Sequence, residues 1–104
     1  MSGRPADDDG ARATVHFNLG LSYDRGKGVE QDWAKAVRFY RLAAERGYAG
    51  AQSNLGFCYA RGEGVARDAA KAVRFYRLAA KRGYPTAQFN LGGCFDRGEG
   101  VAQD

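Results

Sequence analysis

The chain has 104 residues, 44% apolar and 27% charged, with a formal net charge of +4. That balance suits one small folded domain and excludes a chain too polar to bury a core. No run of about 18 apolar residues is present to cross a bilayer, and no apolar segment follows Met1 as a secretory leader would require, so a cytoplasmic location is expected.

Residues 1–12, MSGRPADDDGAR, combine Gly, Pro and three aspartates without apolar periodicity and are expected to form a flexible tail. Asp8 and Asp9 stand where they would favour the positive end of a following helix. The remainder, 13–104, is read as one repeat domain in units 13–50, 51–86 and a partial 87–104. Residues 15–50 and 51–86 align without gaps at about two thirds identity, and the phrases DRGKGV, ARGEGV and DRGEGV begin at residues 24, 60 and 96. A constant period of 36 points to a solenoid, in which each unit buries its core by stacking on its neighbours.

Each unit reads as two helices. In the first, AQSNLGFCYARG (51–62), Ala51, Leu55, Cys58 and Tyr59 follow the spacing of an amphipathic stripe. The second, 68–83, opens on Asp68 as N-cap and stops at Gly83, with Ala72, Phe75, Tyr76, Ala79 and Ala80 as its inner stripe. The preceding copy repeats it with Asp32, Gly47, Ala36, Phe39, Tyr40, Ala43 and Ala44. Gly56 and the facing alanines predict a close helix crossing.

The glycine phrase raises the possibility of a phosphate cradle. A dinucleotide loop needs a preceding strand, a third glycine and an immediate helix, and a P-loop needs Gly-Lys-Ser/Thr; neither is present. The phrase is therefore read as the reversal between paired helices, with glycines supplying positive φ and Val29, Val65 and Val101 plugging the end of each pair.

Cys58 and Cys94, one repeat apart, are expected to be too distant to bridge and to stay reduced. His16 has no second imidazole to join it and reads as a surface side chain, so no metal site, cofactor or catalytic constellation is expected and the chain is read as non-enzymatic. Twelve of the sixteen basic residues are arginine, which suits either a solvated surface or an acidic partner.

The unit A-x-x-x-L-G-x-x-Y-x-x-G-x-G-V-x-x-D-x-x-K-A-x-x-x-Y-x-x-A-A-x-x-G, read at Ala51–Gly83, resembles the Sel-1-like repeat family, relatives of tetratricopeptide repeats. The resemblance covers 13–104 and implies an all-α, right-handed α/α solenoid of about two and a half repeats that serves as an adaptor or scaffold for a protein partner. In some secreted members cysteines eight residues apart staple neighbouring helices. Here those places hold Ala44/Gln52 and Ala80/Gln88, which argues against the oxidised, secreted subgroup and its proposed β-lactam-related activities.

The first helix of each repeat lines the concave face in such solenoids. By resemblance to tetratricopeptide domains, Asn18, Asn54 and Asn90 are candidates to hydrogen-bond a bound peptide, against the alternative that they merely solvate the helix. Phe17, Leu21, Ser53, Phe57 and Phe89 flank them as a candidate interaction patch. Arg25, Arg61 and Arg97 end the first helices, where they suit the negative helix terminus or a carboxylate clamp. On the second helices, Lys35, Arg38, Arg41, Lys71, Arg74 and Arg77 form a basic row interrupted by Asp32, Glu45 and Asp68; a solvated convex face is the primary reading, and nucleic acid or anionic lipid the weaker alternative. A second functional reading is self-association: Leu91 and Phe95 are expected to face the seam of an incomplete third repeat, unpaired, where a second copy would cover them as a homodimer.

Overall fold

The computed structural model describes residues 8–101, with side-chain surroundings from Gly10 onward. Five helices follow one another: α1 (Asp8–Arg25), α2 (Trp33–Glu45), α3 (Ala49–Arg61), α4 (Ala69–Lys81) and α5 (Pro85–Arg97). There is no strand among the described residues, and the architecture is an all-α repeat. Helix α1 packs on α2, α3 on both α2 and α4, and α5 on α4. The odd-numbered helices are the first helices of their repeats, the even-numbered the second.

Local chemistry sets the helix ends. The Asp32 and Asp68 carboxylates accept from the backbone N–H groups of Lys35 and Lys71 at 3.1 and 3.0 Å, the reciprocal of the orphan donors every helix start carries. Gly47 and Gly83, just beyond the ends of α2 and α4, take φ of +83° and +81°, and their N–H groups donate to the carbonyls of Ala44 and Ala80. The loops hold a further cap not visible as a shared residue type. Gln31 donates to the Asp24 carbonyl at 2.8 Å and Arg67, its counterpart one repeat on, donates to the Ala60 carbonyl at 3.1 Å. A glutamine and an arginine thus do the same work of satisfying a carbonyl near the end of a first helix.

The core is a row of small residues around two tyrosines. Ala36, Tyr40, Ala43, Ala51, Leu55 and Ala79 are completely or almost completely buried. The ring of Tyr40 lies against Gly20 and that of Tyr76 against Gly56, where an added Cβ would approach the rings to 2.6 and 2.8 Å. Glycine lets the two backbones approach until the tyrosine ring fills the space a side chain would take.

Four sequence expectations change. Helix α1 already runs from Asp8, so residues 8–12 are helical rather than part of a flexible tail; Ala11 and Ala13 are strong helix formers, and burial of Ala13 ties this turn to the core. Val37 and Val73 are buried, whereas Phe39 and Phe75 are only half-buried, stacked on Tyr23 and Tyr59 at centroid distances of 5.7 and 5.8 Å. A helix covered by first helices on two sides needs a wider apolar arc than a single-partner stripe. The valines of the glycine phrase do not plug their pairs equally: Val65 and Val101 are half-buried against the core, whereas Val29, lining a surface hollow with Tyr23 and Lys35 of its own pair, is 39% exposed. His16 is half-buried and stacked on Phe39 at 6.0 Å instead of standing free at the surface.

The second glycine of the phrase has two reasons to be glycine. Gly64 and Gly100 have φ of +75° and +71°, and an added Cβ would run into the backbone carbonyls of Trp33 and Ala69, the first residues of α2 and α4. The phrase therefore locks each repeat onto the preceding one by backbone contact. It is a structural joint.

Candidate groove between α3 and α5

Helices α3 and α5 stand side by side as successive first helices, and the groove between them has a volume of about 680 Å³. Phe57 and Arg61 come from α3, and Phe89, Asn90 and Arg97 from α5; Tyr76 of α4 and Glu99 complete the lining named here. Five of the sequence-expected residues are thereby brought to one place. Phe57 is 42% exposed and Phe89 82% exposed, an unusual exposure for phenylalanine beside a polar rim.

The arginines are organised by their own loops. Arg97 donates to Glu99 Oε1 at 2.9 Å, and Arg61 lies 3.9 Å from Glu63 while its guanidinium sits 5.2 Å from the Phe57 ring centre. Both pairs are open to solvent, so screening keeps them exchangeable for an incoming carboxylate. The Arg-Gly-Glu spelling of residues 61–63 and 97–99 was the sequence signal for this pairing. In the first copy Lys27 occupies the glutamate position.

The other expected residues are placed differently. Ser53 is 2% exposed and so closed to a partner, and Leu21 is half-buried against the core. Phe17 stacks on Tyr48 at 4.7 Å and contacts Gly50, so it joins α1 to the start of α3. Asn18 is exposed on α1, whereas Asn54 is half-buried beside the Tyr40 hydroxyl. That hydroxyl donates to Asp24 Oδ2 at 2.7 Å, and burial first, then this bond, push the phenol well above its ordinary pKa; the Asn54 amide acts in the opposite sense. The three asparagines therefore occupy three environments. Arg25 ends α1 and is exposed. Of the pair expected on the unpaired seam, Leu91 is half-buried against the core, while Phe95 is 50% exposed with the Arg77 guanidinium 5.5 Å from its ring centre.

Both cysteines are free and buried. Burial, reinforced by Asp24 and Glu63, pushes the Cys58 thiol up to about 12; burial also raises Cys94, against the opposing charge of Arg97. These are inert, protonated thiols at neutral pH. No cluster of three metal-ligating side chains occurs among the described residues, and no described helix is long and apolar enough to cross a membrane.

The Sel1 repeat family matches the chain at residues 13–48, 49–84 and 85–104, each boundary falling two residues before the one drawn from sequence, where α3 and α5 begin. The crystal structure of c5321, described as a protective antigen of uropathogenic Escherichia coli strains with an SLR fold, superposes with a TM-score of 0.87 at 41% identity, over 92% of this chain and 21% of that one. A Sel1 repeat protein from Oxalobacter formigenes gives a TM-score of 0.87 at 33% identity, over 95% of this chain and 41% of the other. The chain thus spans about a fifth and two fifths of these two proteins. No curated protein matches. Sel1 repeat proteins are generally protein-interaction scaffolds, typically without catalytic activity, and with three matched repeats and an all-α repeat fold this chain belongs to the Sel1 repeat family.

Proposed function

We propose that this chain is a non-enzymatic adaptor that holds an extended or helical segment of a protein partner in the groove between α3 and α5. The observation that carries this reading is the convergence of two exposed phenylalanines, an asparagine amide and two exchangeable arginines on one concave surface. Phe57 and Phe89 supply apolar area, Asn90 a donor and an acceptor for peptide backbone, and Arg61 and Arg97 contacts for a carboxylate. Free, buried thiols accord with a cytoplasmic setting. The test is to pan a library of ten-residue peptides against the whole chain and titrate the enriched peptide calorimetrically. Asn90→Ala is expected to weaken binding by about tenfold, some 1.4 kcal/mol, with far-UV circular dichroism unchanged. Binding indifferent to this change would move the site elsewhere.

Self-association is the second reading, favoured by the 82% and 50% exposure of Phe89 and Phe95 on α5. A second copy covering this helix would appear as a dimer in light scattering, and Leu91→Glu/Phe95→Glu would dissociate it. A monomer at high concentration, unaffected by those substitutions, would remove this reading.

A further inference from the structure

A second cleft, of about 570 Å³, lies between α2 and α4, with Gln52 and Tyr59 of α3 in its lining. Arg41, Lys71, Arg74 and Arg82 line it, with Glu45 as the one carboxylate among its lining residues. None of these four cations is in an ion pair among the described residues. Their positions are nonetheless set. Arg41 donates to the Tyr59 hydroxyl at 2.9 Å, Lys71 stands 5.5 Å over the Tyr59 ring and Arg74 5.7 Å over the Phe75 ring. Arg82 reaches back from the end of α4 to Gly47 of the preceding repeat, where an added Cβ would lie 2.5 Å from its guanidinium.

Two further features narrow the occupant. Gln52 also lines the cleft, is 5% exposed, and spends its NH2 group on the Ala44 carbonyl at 3.3 Å while its Oε1 has no hydrogen-bond partner. An occupant that satisfies it must carry a donor as well as negative charge. Leu78, 42% exposed, adds an apolar spot to the same wall. Nucleic acid fits poorly: its phosphates are acceptors only, and the Tyr59 and Phe75 rings are stacked on each other with Lys71 and Arg74 on them, which leaves no free face for a base. A peptide offers carboxylates for the cations, a backbone N–H for Gln52 and a side chain for Leu78.

We infer that the cleft between α2 and α4 is a docking site for an acidic peptide segment carrying at least one aliphatic side chain, separate from the groove between α3 and α5. The probe is a fluorescein-labelled dodecapeptide of glutamates with two leucines, titrated into the whole chain by anisotropy at about 150 mM salt, where weak long-range attraction is screened. Parallel arms use the Gln/Leu peptide of the same length, a thymidine dodecanucleotide and phosphatidylserine vesicles. Saturable binding of the acidic peptide alone is expected. Arg41→Gln/Arg74→Gln/Arg82→Gln, all exposed positions, should weaken it at least tenfold, and the single Arg74→Glu several-fold, with circular dichroism unchanged. Asn90→Ala should leave it unaltered, which separates this site from the groove. Absence of saturable binding, binding insensitive to both cleft variants, or equal or tighter binding of the oligonucleotide or vesicles would overturn the inference.

Discussion

Helices α3 and α5 carry the same pattern one repeat apart, yet they are held differently. On the side turned to the preceding repeat they match: Ala51 and Ala87 are both 0% exposed, and Cys58 and Cys94 both 4%. On the side that α3 turns to α4, its own second helix, they part, since no described helix follows α5. Leu55 is 0% exposed and Leu91 half-buried, Tyr59 is 7% exposed and Phe95 50%, and an added Cβ at Gly56 meets the Tyr76 ring while one at Gly92 meets nothing within 4 Å. Equivalent positions therefore acquire their energetic meaning from the next helix in the stack, as expected where stability is a sum of repeat and neighbour terms.

The largest test of that contrast is Leu55→Ala. It should cost about 2–5 kcal/mol, the range for a fully buried leucine, and Leu91→Ala clearly less, both read from chemical denaturation midpoints; equal losses would break the comparison. Gly56→Leu comes next, at about 1–3 kcal/mol for overpacking the Tyr76 ring. Its counterpart Gly92→Ala should reverse sign and gain about 0.5–1 kcal/mol, because α5 replaces a mid-helix glycine with a better helix former at no steric cost. Within the joints, Gly64→Ala should cost about 1–3 kcal/mol from its left-handed backbone, and more than Gly28→Ala, since Gly28 shares the positive φ but has open space around its Cβ position.

Asp68→Ala removes a cap and should cost about 1 kcal/mol. The effect confined to alkaline pH is the thiol contrast. Cys58 is raised from 9.0 to about 12 in the fold, so the unfolded chain gives up this proton first; stability is intact below pH 9 and declines as pH rises from there through 12. Cys58→Ala should flatten that decline more than Cys94→Ala, whose thiol is opposed by Arg97.

Much of this was readable in the chain because local chemistry decides it. Asp32 and Asp68 cap, Gly47 and Gly83 stop, and Gly56 opens the crossing, each for reasons confined to a few residues. The site was less legible. Phe17, Ser53 and Phe89 share one repeat position, and so do Asn18, Asn54 and Asn90, but a stacked tyrosine, full burial or open solvent gives each a different surrounding. Periodicity names the position and not its neighbour. The basic cleft was partly visible, since Arg41, Lys71 and Arg74 stood in the basic row read from sequence, but Gln52 and Arg82 line the same cleft only where two repeats stack.

The most direct test of the account is a backbone amide shift map of the whole chain titrated with the peptide enriched by panning. The account predicts that the largest changes fall on Phe57 and Arg61 of α3 and on Asn90 and Arg97 of α5, with α1 silent. Changes concentrated on α2 and α4, or spread evenly over every helix, would contradict the assignment of the groove as the peptide site.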